Sequence, residues 1–192
     1  MQKFRLLCEF RAMKTGRMFI GLGGNVGDRL GHFSAARAAM EAAWGAAVGA
    51  SALYETPAWG MAPGTPPFLN QVLAFVAPVG VPPESVLDFM LDVEAGLGRV
   101  RVEGDLAYQN RTIDLDLLLL ETHSMPHQSA RLTVPHPRIA ERRFVLQPLA
   151  DIDPTLRVPG HNATVAELLA TCPDDAILTR LNPTTDQPWA NA

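Results

Sequence analysis

The sequence predicts an α+β domain, and three observations carry that reading. Short apolar runs with β-branched and aromatic content alternate with helical apolar stripes. The order strand–helix–strand occurs twice, at similar spacing. Of the 192 residues 47% are hydrophobic and 19% charged, enough apolar material for a real core. Two βαβ units side by side make a four-stranded antiparallel sheet with both helices on one face, the ferredoxin-like βαββαβ plan.

The elements follow in order. Met18 to Leu22 reads as a buried strand running into the turn Gly23-Gly24-Asn25. Asp28 stands where a helix N-cap belongs, and Phe33, Ala36, Met40 and Ala43 follow at helical spacing. Val48 to Tyr54 forms a second strand, and Thr56 to Pro67 a loop rich in Gly and Pro. Phe68 to Val79 is a long third strand. Pro82-Pro83-Glu84 suits the first turn of a second helix, whose stripe is Val86, Phe89, Val93 and Leu97 and which Gly98 ends. A polar loop over 99–110 leads to the strongest strand, Thr112 to Leu120. Residues of roughly 125–181 read as an elaboration on the same core.

The expected organisation is a single domain over 18–181 between a leader, 1–17, and a loose tail, 182–192. The leader carries five basic residues against Glu9 and no uninterrupted apolar stretch, so no secretory segment is read there. A disordered tail or an over-called start fits it, with Met13 and Met18 as later starts; an organellar presequence is the alternative.

Composition excludes several chemistries. No apolar run approaches the ~20 residues of a membrane helix, and a net charge of −4 argues against wholesale nucleic-acid binding. Cys8 and Cys172 cannot build a disulfide framework or a four-thiolate zinc site, which suits a reducing cytoplasm. The only lysines are Lys3 and Lys14, ahead of the first strand. A P-loop, a protein-kinase fold and Schiff-base chemistry each need one in the body of the chain. Phosphates, if handled, fall to arginine, metal and backbone N–H groups.

The most informative stretch is Arg111-Thr-Ile-Asp114-Leu-Asp116-Leu-Leu-Leu-Leu120. Side chains at i and i+2 of a strand share a face, so Asp114 and Asp116 project together while Ile113, Leu115 and Leu117 face the core. Paired carboxylates repel unless a cation lies between them, and oxygen-only ligands suit Mg²⁺. Two such ions can bridge polyphosphate oxygens. Arg99 and Arg101 precede this strand, and Arg142-Arg143 follow; the planar guanidinium matches phosphate. For each arginine the plainer alternative is surface pairing with Glu94 or Glu103. The glycines of 21–28 resemble a phosphate-cradling turn. Phe68 and Asn70 share a strand face, suiting a flat heterocycle with a hydrogen-bonding edge. His123 and His127 are spaced for a metal pair, but Pro126 breaks the helix this needs, leaving loop residues.

Over about residues 18–181 the chain resembles the 6-hydroxymethyl-7,8-dihydropterin pyrophosphokinases of folate synthesis. The resemblance rests on GLGGNVGD (21–28), YETPAWG (54–60), PFLN (67–70), EAGLGRVR (94–101), RTIDLDLLL (111–119) and RLTVPHPRIAERRFVLQPL (131–149). It implies a ferredoxin-like fold and transfer of the β,γ-pyrophosphoryl group of ATP to the pterin hydroxymethyl oxygen, releasing AMP. It further implies that Asp114 and Asp116 hold two Mg²⁺ ions. Thr56, Pro57, Trp59 and Asn70 would line the pterin pocket, with Phe68 and Phe144 stacking on the ring. Arg99 and Arg101 would lie on a mobile catalytic loop. Glu94, Arg111, Arg131, Thr133, His136 and Arg142 would serve ATP, and Leu117 would contact adenine. The chain departs from the family at Gly24, usually Ser, at Tyr108-Gln-Asn110, where Gly-Pro is common before the arginine, and at Leu91. A stand-alone monomer is expected. Two other readings compete: a metal-dependent nucleotide hydrolase at the same Asp pair, and a non-catalytic pterin- or nucleotide-binding module.

Overall fold

The structure is a computed structural model and describes residues 16–100, 109–122 and 126–181. Five strands form the main sheet in the order β5-β1-β4-β3-β8, and a short β2 also pairs with β4. They are β1 (Arg17–Gly24), β2 (Gly49–Ala50), β3 (Leu53–Thr56), β4 (Phe68–Val76), β5 (Asp114–Leu120) and β8 (Thr179–Leu181). Every pairing is antiparallel. The crossovers are α1 (Arg29–Trp44) between β1 and β2, and α2 (Pro83–Gly96) between β4 and β5. A hairpin of β6 (His127–Gln128) and β7 (Thr133–Val134) follows, then a 3₁₀ turn (Ile139–Glu141), α3 (Arg143–Ile152) and α4 (Val165–Ala170). The Val134–Pro135 peptide is cis.

Alternation along the strands separates two cores. Met18, Ile20 and Leu22 of β1 point to one face with Ile113, Leu115 and Leu117, against Phe33, Ala36 and Met40 of α1 and Val86 and Met90 of α2. Phe19, Val72, Ala74, Leu118 and Leu119 point to the other, where Val145, Leu146 and Leu149 of α3 and Val165 of α4 cover them. The C-terminal segment therefore adds Val134, Leu132 and Leu181 to the first core, as the sequence suggested, and also builds a second core on the opposite face. Its own amphipathic helix supplies the reason: α3 has an apolar side that the sheet's remaining face can bury.

Several boundaries shift, each for a local reason. β1 begins at Arg17, assigned above to the leader; its guanidinium lies 2.6 Å from both Glu121 and Asp153, clamping β1 to β5 and to the end of α3. β1 also runs on through Gly23 and Gly24, which were expected in a turn. The second strand is interrupted at Ser51, whose hydroxyl accepts the Val72 N–H at 2.9 Å. β4 stops at Val76, because Pro78 offers no N–H and Gly80 turns the chain at φ 74°. β5 starts at Asp114 and not at Thr112. Ala43 is exposed, so the α1 stripe ends at Met40. On α2 the deepest row is Val86, Met90 and Glu94, with Phe89, Val93 and Leu97 packed beside it. Asp28 caps α1 as expected, accepting from the Gly31 N–H at 3.0 Å. No helix among the described residues is long and apolar enough to cross a membrane.

Candidate active site

β5 carries the centre of the site. Asp114 and Asp116 share the face of Leu118, and all three line one cleft with about 620 Å³ of open space. Gly21 and Gly23 of β1 pave its floor beside them. A Cβ on Gly23 would come within 3.3 Å of the Asn70 amide oxygen, so glycine there leaves the amide free to face the cleft. These glycines belong to a strand that runs to Gly24, so of the segment 21–28 that resembled a phosphate-cradling turn only Asn25 to Asp28 lies outside it. The signal that could have revealed this is their spacing of two, which continues the outward side of β1.

The opposite wall comes from β3, β4 and α3. Thr56, Pro57, Trp59, Phe68, Asn70 and Phe144 all line the same cleft, as do Met61 and Val145, which the sequence reading missed. Phe68 and Asn70 share a face of β4, and Leu69 between them belongs to the first core. The Asn70 Nδ2 donates to the Thr56 hydroxyl at 2.7 Å, an interaction that fixes which way the amide points. Trp59 and Phe144 stand 6.3 Å apart between ring centroids at 58°.

Arginines separate the aromatic wall from the carboxylates. Arg111 lies 4.9 Å over the Phe68 ring and 3.0 Å from Asp114. Arg142 lies 5.3 Å over Trp59 and 5.6 Å over Phe144, with Nη1 4.0 Å from Asp116. Arg138, not anticipated, sits 5.9 Å over Trp59. The Nε atoms of Arg111 and Arg142 are buried without a hydrogen-bond partner among the described residues. Two unsatisfied guanidinium donors in one cleft suit an anion with several oxygens. Arg99 pairs with Asp114, donates to the Ile113 carbonyl at 3.0 Å and lies 3.5 Å from Glu94. Arg101 lies outside the described residues, as do Glu103, Tyr108 and His123.

Glu94 is 1% exposed and accepts the Leu115 N–H at 2.7 Å. It braces the start of β5 from beneath, so the Arg99–Glu94 pair is buried and not a surface contact.

Asp114 is paired closely with Arg99 and Arg111, whereas Asp116 has Arg142 only at 4.0 Å. The Asp116 carboxyl is pushed up to about 7, chiefly by burial and next by the Asp114 charge, against the pull of Arg142 and Arg111. Among the described residues no third histidine, cysteine or carboxylate joins the pair in a metal-binding cluster. An oxygen-only pair with room for other ligands fits Mg²⁺, which keeps water and substrate oxygens in its shell.

A second cavity, with about 730 Å³ of open space, lies on the other side of Asp116. Leu117, Arg131, Thr133 and His136 line it, together with Leu87, Leu115 and Pro137. Burial and the neighbouring Arg142 push the His136 imidazole down to about 4, so it is neutral. Its Nδ1 accepts the Arg138 N–H at 3.1 Å. Its Nε2 lies 3.5 Å from Arg142 Nη1, so an N–H group faces each ring nitrogen. Of the residues that the resemblance assigned to ATP, Glu94, Arg111 and Arg142 do not line this cavity; Arg111 and Arg142 line the first cleft. His127, expected in a loop, is in β6 with Nε2 2.7 Å from Glu84.

Residues 19–154 match the family described as 7,8-dihydro-6-hydroxymethylpterin-pyrophosphokinase (HPPK). The chain belongs to this family. It is 35% identical over 139 residues to a 2-amino-4-hydroxy-6-hydroxymethyldihydropteridine pyrophosphokinase of Porphyromonas gingivalis, covering 72% of this chain and 92% of the relative. It is 39% identical over 155 residues to the enzyme of that name from Methylorubrum extorquens, covering 80% and 92%. Among solved structures it is similar to wild-type HPPK-DHPS of Plasmodium falciparum with pteroate, at a TM-score of 0.65 and 14% identity. That match covers 82% of this chain and 44% of the solved chain, so the chain spans less than half of that protein, and the likeness concerns the fold. The family makes the chain an enzyme, an ATP-dependent pyrophosphokinase of folate synthesis acting on hydroxymethyldihydropterin.

Proposed function

We propose that the two cavities receive the two substrates and that the reaction takes place at Asp116, which lines both. This shared wall is the observation that carries the reading. The aromatic and amide cleft takes the flat pterin, with Asn70 and Thr56 reading its edge. The Arg131, Thr133 and His136 cavity takes ATP, with Leu117 against the adenine. The pterin hydroxymethyl oxygen then attacks the β-phosphorus in line, the bond from the β-phosphorus to the α-phosphate oxygen breaks, and AMP leaves.

The chain's own residues work by position and charge, with little acid–base chemistry. Arg111 and Arg142, which line the first cleft, turn their guanidinium groups to the transferring group. The neutral His136 accepts the Arg138 N–H at Nδ1 and cannot compete as a base near neutral pH. Asp114 and Asp116 would hold two Mg²⁺ ions. Those ions, when bound, neutralise phosphate charge as the P–O bond breaks. We assign Arg99 and Arg101 to the transition state as well. The strand order and antiparallel pairing support the ferredoxin-like βαββαβ plan, with β2 and β3 together as its second strand. A monomer in the cytoplasm completes the proposal, with 18–181 as its single domain.

Two tests address the site. Phe144→Ala, which removes one aromatic surface, is expected to raise the KM for the pterin by about tenfold, as loss of a stacking face costs about 1–1.5 kcal/mol. The KM for ATP should stay within about twofold; equal rises in both would contradict the division of the cavities. The second test uses pH. With a raised carboxyl, the metal-free fold holds an extra proton, so Asp116 contributes stability at low pH that is lost as pH rises through about 7. Mg²⁺ replaces that proton. Thermal unfolding should therefore show a larger Mg²⁺-induced rise in Tm at pH 8 than at pH 6, and Asp116→Asn should erase the difference. A rise independent of pH would count against the metal assignment.

A further inference from the structure

Arg131 lines the second cavity, yet its guanidinium is already engaged. Its Nη2 lies 2.6 Å from the Asp88 carboxylate of α2. The side chains are 55% and 56% exposed. One turn earlier on the same helix face, Glu84 lies 2.7 Å from His127 of β6. Two carboxylates of α2 thus grip the β6–β7 hairpin through one residue near each of its ends. Asp88 does not itself line the cavity; it meets the wall through Arg131, which does.

We propose that Asp88 competes with the nucleotide for Arg131 and sets how tightly the second cavity takes an anionic ligand. The inference rests on the reading of that cavity as the nucleotide site. An ion pair this exposed is weak, so it exchanges readily. Phosphate oxygens match the guanidinium fork at least as well as a carboxylate does. An arriving polyphosphate therefore takes Arg131 from Asp88, and two costs are subtracted from its affinity. One is the broken pair; the other is the repulsion between ligand and a carboxylate left nearby without its partner. A simple tether behaves in the opposite way. If the contact served only to hold the hairpin in shape, cutting it would loosen Arg131, Thr133 and His136 together and weaken binding.

The sign of one substitution distinguishes the two. The probe is Mg²⁺ with α,β-methylene-ATP, in which the bond broken in transfer is replaced, titrated calorimetrically into the full-length protein. Asp88→Asn is expected to bind it about two- to fivefold more tightly, the range of an exposed ion pair. The gain should shrink in about 0.5 M salt, where exposed charges are screened. It should vanish when Arg131→Met is already present, since the competition then has no object. The Tm of Asp88→Asn should match the parent. Unchanged or weaker binding by Asp88→Asn overturns the proposal while leaving the nucleotide site intact. A failure of every variant and of the parent to bind the probe overturns both.

Discussion

Replacing Asp116 with Asn should reduce turnover by about 10³-fold or more, because a neutral amide forfeits several kcal/mol of charge stabilisation at the reacting phosphate. The effect should fall on kcat. Asp116 faces both cavities, but the pterin edge is read by Asn70 and Thr56 and its ring is covered by Phe68, Trp59 and Phe144. Pterin affinity, followed by quenching of tryptophan fluorescence, should hold within about twofold, because the substitution preserves shape and removes only charge. The variant should also fold well, since it relieves the repulsion with Asp114. Unchanged turnover would remove Asp116 from the metal site and with it the role given to the shared wall.

Gly24→Ser is the second large effect, and here stability changes first. Ser is the residue that the family resemblance of the sequence leads one to expect at this position. In this chain a Cβ on Gly24 would lie 2.4 Å from the Thr112 carbonyl oxygen and 3.2 Å from the carbonyl carbon. Both are backbone atoms and cannot swing aside. The close approach is held by Asn25, whose N–H donates to the Arg111 carbonyl at 3.0 Å and whose Oδ1 accepts the Arg111 N–H at 2.9 Å. The Asn25 Nδ2 also donates to Asn110 at 2.7 Å and to the Pro66 carbonyl at 3.1 Å. Overpacking of this kind costs about 1–3 kcal/mol, a fall in Tm of roughly 2–12 °C for a chain of this size. Because β1 would be forced from Arg111 and Asp114, kcat should drop by about tenfold or more, as small displacements of reacting groups do. A variant with parental Tm and kcat would contradict the backbone approach. Gly24 and Asn110, both departures from the family pattern, thus lie at the same junction.

Much of this site was legible because strand chemistry is local. Asp114 and Asp116 could be placed on one face from their spacing alone, and the core face of Ile113, Leu115 and Leu117 followed. The same rule explains Phe68 and Asn70 on β4. What could not be read was set by partners distant in sequence. Glycine is a turn residue by habit, so Gly23 and Gly24 read as a turn although β4 holds both, and β5 holds Gly23, in a sheet. The burial of Glu94 is not legible, because nothing nearby in sequence announces that the Leu115 N–H will meet it. The second core depends on the back of the sheet being apolar at Phe19, Val72 and Leu118, a property of the assembled sheet and not of any one strand. Arg17 looked like part of a basic leader because its partners, Glu121 and Asp153, lie more than a hundred residues away.

The reading as a whole turns on one product. The protein should be mixed with ATP, Mg²⁺ and 6-hydroxymethyl-7,8-dihydropterin, with a control lacking the pterin, and the nucleotides separated. The account predicts AMP, formed in equal amount to the pterin diphosphate and absent from the control. ADP as the product, or AMP undiminished without pterin, would contradict pyrophosphoryl transfer at the wall between the two cavities.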